Sequence, residues 1–234
     1  MTSPLIHRVT TLDLAVRPVV WPFAEERRAE ITAHFAEKQR ERPKLWNGRV
    51  LLGRDAVFTG GHLSATYFET DFASFLAWRD WGFPDKAVFN GFGMGALLAS
   101  DGAFIMGEMA AHTANEGRIY FPSGTPDLDD VVDGMLDIAG SVVRELGEET
   151  GLTEADYRIE PGWHCVVTGP TLAMLQVINL DMPGDVARAR IEANLARETE
   201  PELSAIHIVR GLSDLTPAMP RFVTAFVEQQ FALR

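Results

Sequence analysis

The chain has 234 residues, 46% of them hydrophobic and 23% charged, with a formal charge of −12. This length and composition fit one generous globular domain, or a core with a sizeable extension, and exclude disordered and fibrous chains. No basic stripe or basic helix is visible, which argues against nucleic acid as a partner, and a single cysteine, Cys165, excludes a disulfide framework.

The N-terminal residues show no signal-peptide pattern, and no apolar run is long enough to span a bilayer. A cytoplasmic protein without a membrane partner is therefore expected. Residues 5–16 alternate as one strand. Pro22 opens a charged helical pattern that runs from residue 23 to about 42 and stops at Pro43. Residues 48–58 and 62–69 read as strands parted by a Gly60-Gly61 turn. Residues 72–81 read as a helix that buries Phe72, Phe75, Leu76 and Trp81. Residues 93–100 and 103–109 form a hairpin around Asp101-Gly102. A polar loop and a strand at 117–121 follow. Further strands are expected at 157–160, 163–167, 172–180 and 205–209, with helices at 185–197 and 217–231. Cys165 reads as a small buried residue of its strand, and His164 and His207 as core histidines.

Residues 122–160 hold eleven Asp and Glu against two Arg. Within them lies Arg144-Glu145-Leu146-Gly147-Glu148-Glu149-Thr150-Gly151-Leu152. On a helix, Glu149 sits about 40° round from Glu145, and Glu148 about 60° the other way, so the three carboxylates leave from one face. Leu146, with Val142, Val143 and Ile138 before it, falls on a different, apolar face. Stacked like charges are unfavourable on a bare helix. A hard divalent cation with oxygen ligands removes that cost, so the local chemistry points to Mg²⁺ or Mn²⁺.

This nonapeptide resembles the second half of the Nudix box, R-E-U-x-E-E-x-G-U with U a bulky aliphatic, and matches it at every fixed position. The first half is less regular. Gly124, in Phe121-Pro122-Ser123-Gly124, is similar to the box glycine, but it stands six residues further from Arg144 than the family spacing places it. The surplus falls in residues 125–134, a stretch rich in Asp and Pro that is expected to be exposed. At the family's first acidic position stands Leu136. The resemblance implies an α/β fold, a Nudix α/β/α sandwich with a mixed sheet over residues 89–234. Residues 1–88 precede it as an α+β extension.

It also implies a metal-dependent pyrophosphohydrolase that cleaves a nucleoside diphosphate linked to another moiety. Glu145, Glu148 and Glu149 would hold Mg²⁺ or Mn²⁺, and Arg144 would orient Glu145 or pair with Glu148. Gly124 would let the loop backbone approach the metal site, and Gly151 would cap the helix. Arg118 and Arg54, and also Lys86, are cations available to substrate phosphates. For the general base, Glu198, Glu200 and Glu202 are visible, against the reading of an acidic linker. Asp127, Asp129, Asp130 and Asp133 are turn-forming residues or a further metal ligand. Leu45-Trp46-Asn47-Gly48, Phe72, Phe75 and Leu76, and Gly93-Met94-Gly95-Ala96-Leu97-Leu98 resemble UDP-glucose-hydrolysing Nudix proteins. A UDP-sugar, cleaved to UMP and a sugar 1-phosphate, is the first substrate class that this implies. Trp46 reads alternatively as a packed aromatic. ADP-ribose and dinucleotides are alternatives, as is a catalytically silent Nudix-like binding module. A homodimer is compatible with each.

Overall fold

The structure, a computed structural model, describes residues 3–233. Its first alternating segment is two strands rather than one, β1 (Leu5–Val9) and β2 (Thr11–Val16). They part at Thr10, whose N–H donates to the Gly61 carbonyl at 2.7 Å. The charged helix is divided as well. Helix α1 (Pro22–Glu26) begins on a proline, which has no N–H to leave unpaired there. Arg27 then departs from helical geometry at φ −106°, ψ 19°, and α2 (Arg28–Glu41) resumes. The Arg27 guanidinium lies 4.0 Å from the centroid of the Trp81 ring, a cation–π contact that holds the break against the next helix.

Strands β3 (Arg49–Thr59) and β4 (His62–Asp71) form the expected hairpin about Gly60-Gly61. Helix α3 (Phe72–Asp80) follows at once, its first turn capped by Asp71, which accepts from the Ser74 N–H at 2.9 Å. Phe75 and Leu76 are buried as expected, whereas Phe72 and Trp81 are only partly so.

Next come β5 (Val88–Leu98), β6 (Phe104–Met109) and β7 (Ile119–Tyr120). The surplus segment is not a plain loop. After a short 3-10 turn at Leu128–Asp130, β8 (Val131–Val132) and β9 (Met135–Leu136) form a small hairpin. Asp133 and Gly134 turn it at φ 50° and 76°, a left-handed pair that suits a two-residue hairpin. Most of this segment is exposed, but Pro126 and Asp130 are buried. Helix α4 (Ile138–Thr150) and strands β10 (Tyr157–Ile159), β11 (Trp163–Thr168) and β12 (Thr171–Leu180) follow. The chain ends with α5 (Gly184–Leu195), β13 (Leu203–Val209) and α6 (Arg221–Ala232). Helix α6 starts later than its pattern suggests because Pro220 precedes it in extended geometry, φ −59°, ψ 150°.

The strands run in the order β1-β11-β12-β5-β3-β4-β2-β9-β8, with β10 beside β12, and β6 joining β5 to β7 and β13. Strand β5 is the hinge of this order. It pairs in parallel with β12 over most of its length, and antiparallel with β3 at its start and with β6 at its end. Helix α4 covers one face of β5 because Gly93 leaves room for it. A Cβ there would come within 2.6 Å of the Val142 side chain and 2.7 Å of that of Ile138. On the other face α6 packs Phe222 against Phe92, with ring centroids 5.5 Å apart. Two helical layers on a mixed sheet make the α/β/α sandwich.

Pairing crosses residue 88, because β1 joins β11 and β3 joins β5. The N-terminal part also packs cores of its own. Trp21, Leu52, Phe68 and Trp78 form one, and Ile31, Phe35, Leu76 and Ala77 another. Cys165 is fully buried in β11, and burial pushes its thiol up to about 12. No helix among the described residues is long and apolar enough to cross a membrane.

Candidate active site

Helix α4 is built to hold polar groups at a fixed height. Asp137 caps its start, accepting from the Gly140 N–H at 2.9 Å, and Gly151 ends it at φ 67°, donating to the Gly147 carbonyl at 2.9 Å. Ile138, Val142 and Leu146 are buried against the sheet. The three carboxylates do not share one environment. Glu149 is only 6% exposed, Glu145 is half-turned into the protein, and Glu148 stands in solvent. The expectation that all three leave one open face is corrected accordingly. Glu149 lies at the edge of the helix's apolar side, because its direction is close to that of Leu146 and Val142.

Arg144 organises the outer two. It reaches Glu145 at 2.8 Å and Glu148 at 3.3 Å, and its other nitrogen donates to Asp130 at 2.8 Å. The Asp130 side chain is 2% exposed and also accepts from the Asp127 N–H at 3.2 Å. The sequence reads Asp130 as a turn-forming residue or a further metal ligand. In the fold it is the buried partner of Arg144, and this bond is the first cause of a guanidinium held firmly protonated. A carboxylate from the surplus segment thus holds the arginine of α4.

The inner two carboxylates are strained electrostatically. Burial, opposed by Arg144 and reinforced by Glu148, Glu202 and Asp130, pushes Glu145 up to about 7. Burial drives Glu149 well above the usual carboxylate range, with the Ser123 N–H opposing at 3.1 Å and Glu145, Glu202 and Glu148 adding to it. Glu202 is thus the late glutamate whose charge bears on this centre. Glu200 instead pairs with Lys44, and Glu198 accepts from Asn194 at 2.8 Å. Among the described residues, no three carboxylate, imidazole or thiol groups already close on one point as a finished metal cage. The donor set nevertheless fits a hard cation. Glu145, Glu148, Glu149 and Asp130 share the single guanidinium of Arg144, so negative charge is in excess there, and oxygen donors suit Mg²⁺ or Mn²⁺.

Gly124 touches this centre directly. A Cβ built on it would come within 2.2 Å of Glu145 Oε1. Gly124→Ala is therefore expected to push the Glu145 carboxylate aside while costing little stability, since the displaced group is the end of a flexible side chain. Turnover should fall roughly tenfold to a hundredfold, the scale of an ångström-sized displacement at a reacting centre. Steady-state kinetics beside a melting curve checks this. A variant with full turnover would remove Gly124 from the site.

Ser123 and Gly124 also border a cleft of about 450 Å³. Arg118 lines it with no hydrogen bond or ion pair to its side chain among the described residues, so its charge is free for an anion. Arg54 does not line it; it pairs with the adjacent Asp55 at 2.8 Å on β3. Lys86 donates to the Gly82 carbonyl and is likewise elsewhere. Sequence reading missed Arg79 and Arg221, which do line the cleft. It also missed Arg42, which ties α2 to the loop carrying Arg118 by donating to the Thr113 and Ala114 carbonyls at 3.1 and 3.2 Å. Trp46, for which the sequence leaves a substrate contact or a packed aromatic open, is 79% exposed and does not line the cleft. Asn47 caps α3 by accepting from the Ala73 N–H at 2.7 Å. His207 is partly exposed and pairs with Glu108 at 2.8 Å, and His164 is partly buried against Phe226.

No protein-family model matches this sequence, and no curated protein does. Solved structures do match it. The likeness is to Nudix hydrolases. One is the Nudix hydrolase RenU from M. smegmatis, 13% identical with a TM-score of 0.38, over 62% of this chain and 86% of that one. A MutT protein from Methanosarcina mazei Go1 is 18% identical with a TM-score of 0.39, over 60% of this chain and 91% of its own. A bifunctional NMN adenylyltransferase/ADP ribose pyrophosphatase from Francisella tularensis, solved with AMP and a Mn ion, is 15% identical with a TM-score of 0.42. That match covers 67% of this chain and 45% of the other.

Proposed function

We propose that this protein is a metal-dependent Nudix pyrophosphohydrolase, acting on a nucleoside diphosphate linked to a second group, with a UDP-sugar as the first substrate class. The observation that carries this reading is the meeting of Glu145 with Gly124, and of Glu149 with the Ser123 N–H, beside a cleft that holds the unpaired Arg118. In this reading residues 89–234 carry the reaction, and residues 1–88 are an extension whose helix α3 walls the cleft.

Glu145, Glu149 and Glu148 would hold Mg²⁺ or Mn²⁺, which when bound neutralises diphosphate charge and lowers the pKa of water. Arg144, itself anchored by Asp130, holds Glu145, which lies against Gly124 at the cleft's border. Arg118 binds a phosphate of the substrate. A water oxygen attacks one phosphorus, the anhydride P–O bond on its far side breaks, and the bond's electron pair leaves with the second phosphate. Glu202, whose charge bears on Glu145 and Glu149, accepts the proton of the attacking water.

A panel of UDP-glucose, ADP-ribose and NADH, assayed with Mg²⁺ and with Mn²⁺, tests the reading. UDP-glucose is expected to yield UMP and glucose 1-phosphate, with one oxygen from labelled water in the new phosphate. Calorimetry should detect Mn²⁺ binding that the Glu148→Gln, Glu149→Gln double variant loses. Nucleotide binding with no turnover across the panel would favour a silent binding module instead.

A further inference from the structure

Residues 111–118 bring Ala114, Asn115 and Arg118 into the cleft lining, yet none of them is buried. A loop with no share of the core is held by hydrogen bonds, and such segments open most easily. The bonds within it are short-range. The Gly117 N–H donates to the Met109 carbonyl at 2.9 Å, the Arg118 N–H to the Asn115 carbonyl at 3.0 Å, and the Asn115 amide to the Tyr120 hydroxyl at 3.1 Å. Arg42 meets the middle of the loop from outside. One of its nitrogens donates to the Thr113 and Ala114 carbonyls at 3.1 and 3.2 Å, and the other lies 3.6 Å from Glu116. A charged donor makes a stronger bond to a carbonyl than a neutral one does.

Arg42 stands on a segment that is itself fastened at both ends. Its N–H donates to the Lys38 carbonyl of α2 at 2.9 Å, just before Pro43. Leu45 packs on the core of Ile31, Phe35 and Leu76, and its carbonyl accepts from the Gln39 amide at 2.9 Å. Asn47 then accepts from the Ala73 N–H of α3 at 2.7 Å. The same segment pairs Lys44 with Glu200, but both ends of that pair are exposed, and such a pair contributes little.

We propose that Arg42 is a positioning residue for anion binding: it holds the 111–118 loop so that Arg118 stays over the cleft, and it touches no substrate itself. Arg42 does not line the cleft, so its effect on a bound anion passes through the loop. The inference rests on the reading of the cleft as the substrate's, and it gives the N-terminal extension a part in binding the diphosphate.

Arg42→Ala, Arg118→Ala, their double variant and Lys44→Ala test this beside the wild type. The probe is inorganic pyrophosphate with Mg²⁺ in excess, bound at equilibrium to the full chain. Arg42→Ala is expected to weaken it about tenfold, the scale of one charged hydrogen bond. Arg118→Ala should weaken it at least as much. The double variant should lose no more than Arg118→Ala alone, because residues that act through one another are not additive. Lys44→Ala should bind like the wild type. Amide exchange at Thr113, Gly117 and Arg118, whose N–H groups are bonded within residues 109–118, should quicken in Arg42→Ala and not in Lys44→Ala. On a substrate that the wild type turns over, Arg42→Ala should raise KM about tenfold with kcat nearly unchanged, the mark of lost binding rather than lost chemistry. Losses that multiply in the double variant would overturn the proposal, since Arg42 would then act by its own charge. Unchanged amide exchange in Arg42→Ala, or a wild type that binds no pyrophosphate, would overturn it too. Should the coupled losses appear in a protein that hydrolyses nothing, the hydrolase reading fails and the positioning role stands. Should Arg42→Ala hydrolyse a diphosphate with the wild-type KM, the hydrolase stands and the positioning role fails.

Discussion

Glu149→Gln is expected to lower turnover by roughly two orders of magnitude or more, the scale seen when one electrostatic stabiliser of a transition state is removed. The fold should lose nothing. The glutamine oxygen still accepts from the Ser123 N–H, which Glu149 now does at 3.1 Å, and the side-chain volume is unchanged. Stability should rise, with a pH signature. Burial holds the folded pKa of Glu149 well above the ordinary 4.5. A carboxyl raised on folding stabilises the protein below its unfolded pKa, and that contribution is lost as pH rises toward the folded one. Glu145, pushed up to about 7 mainly by its own burial, acts in the same direction. The wild type without added metal should thus lose stability steadily from about pH 4.5 through neutrality. The glutamine variant should escape part of that loss. Melting curves at pH 4.5, 6 and 8 separate the two, and the gap should widen with pH. Added Mn²⁺ should stabilise the wild type more than the variant, because a cation that binds only the folded state shifts the equilibrium toward it. Full turnover in a folded Glu149→Gln protein would remove the carboxylates from the chemistry altogether.

The parts of this site that were legible in the sequence are those whose meaning is local. Residues 144 to 152 show helix, cap and carboxylate spacing within nine positions, and the fold keeps all three. Gly60-Gly61 and Asp101-Gly102 mark their turns for the same reason. What escaped depends on contacts between distant segments. The break at Thr10 exists because the two halves of that strand have different neighbours, β11 and β4, which no alternation pattern records. Arg54 was chosen for its charge alone, and its nearest carboxylate proved to be the next residue. Arg79 and Arg221 matter because α3 and α6 come together at one cleft, although neither position carries a motif. The Asp133-Gly134 hairpin is a different case, since a turn at Asp133 is legible, but the pairing of the two short strands on either side of it is not.

Asp130 shows how a local surplus can be tied to the site, and it supports the second large effect. Its carboxylate is 2% exposed, whereas its partner Arg144 is 39% exposed. The two ends of this bond are therefore not equivalent. Removing the arginine strands a negative charge inside the protein; removing the aspartate leaves a guanidinium that can turn to water or to Glu148. Arg144→Met should then destabilise by about 3 kcal/mol, the cost typical of leaving one member of a buried pair uncompensated. Asp130→Asn, which keeps an acceptor for the Asp127 N–H, should cost only about 1 kcal/mol, near the worth of one charged hydrogen bond. In the double variant no charge is stranded, so it should be more stable than Arg144→Met alone. The double-mutant cycle should depart from additivity by roughly 1–2 kcal/mol, within the range for directly bonded residues. Urea unfolding of the four proteins measures each corner, with equal slopes confirming that the unfolded states are comparable. Turnover should follow a different order. Arg144→Met and the double variant both lose the group that holds Glu145, at 2.8 Å, beside Gly124, so both should be slow even though only one is unstable. If the double variant regained turnover along with stability, Arg144 would serve the fold alone, and the link from the surplus segment through Asp130 and Arg144 to the carboxylates would be structural and nothing more.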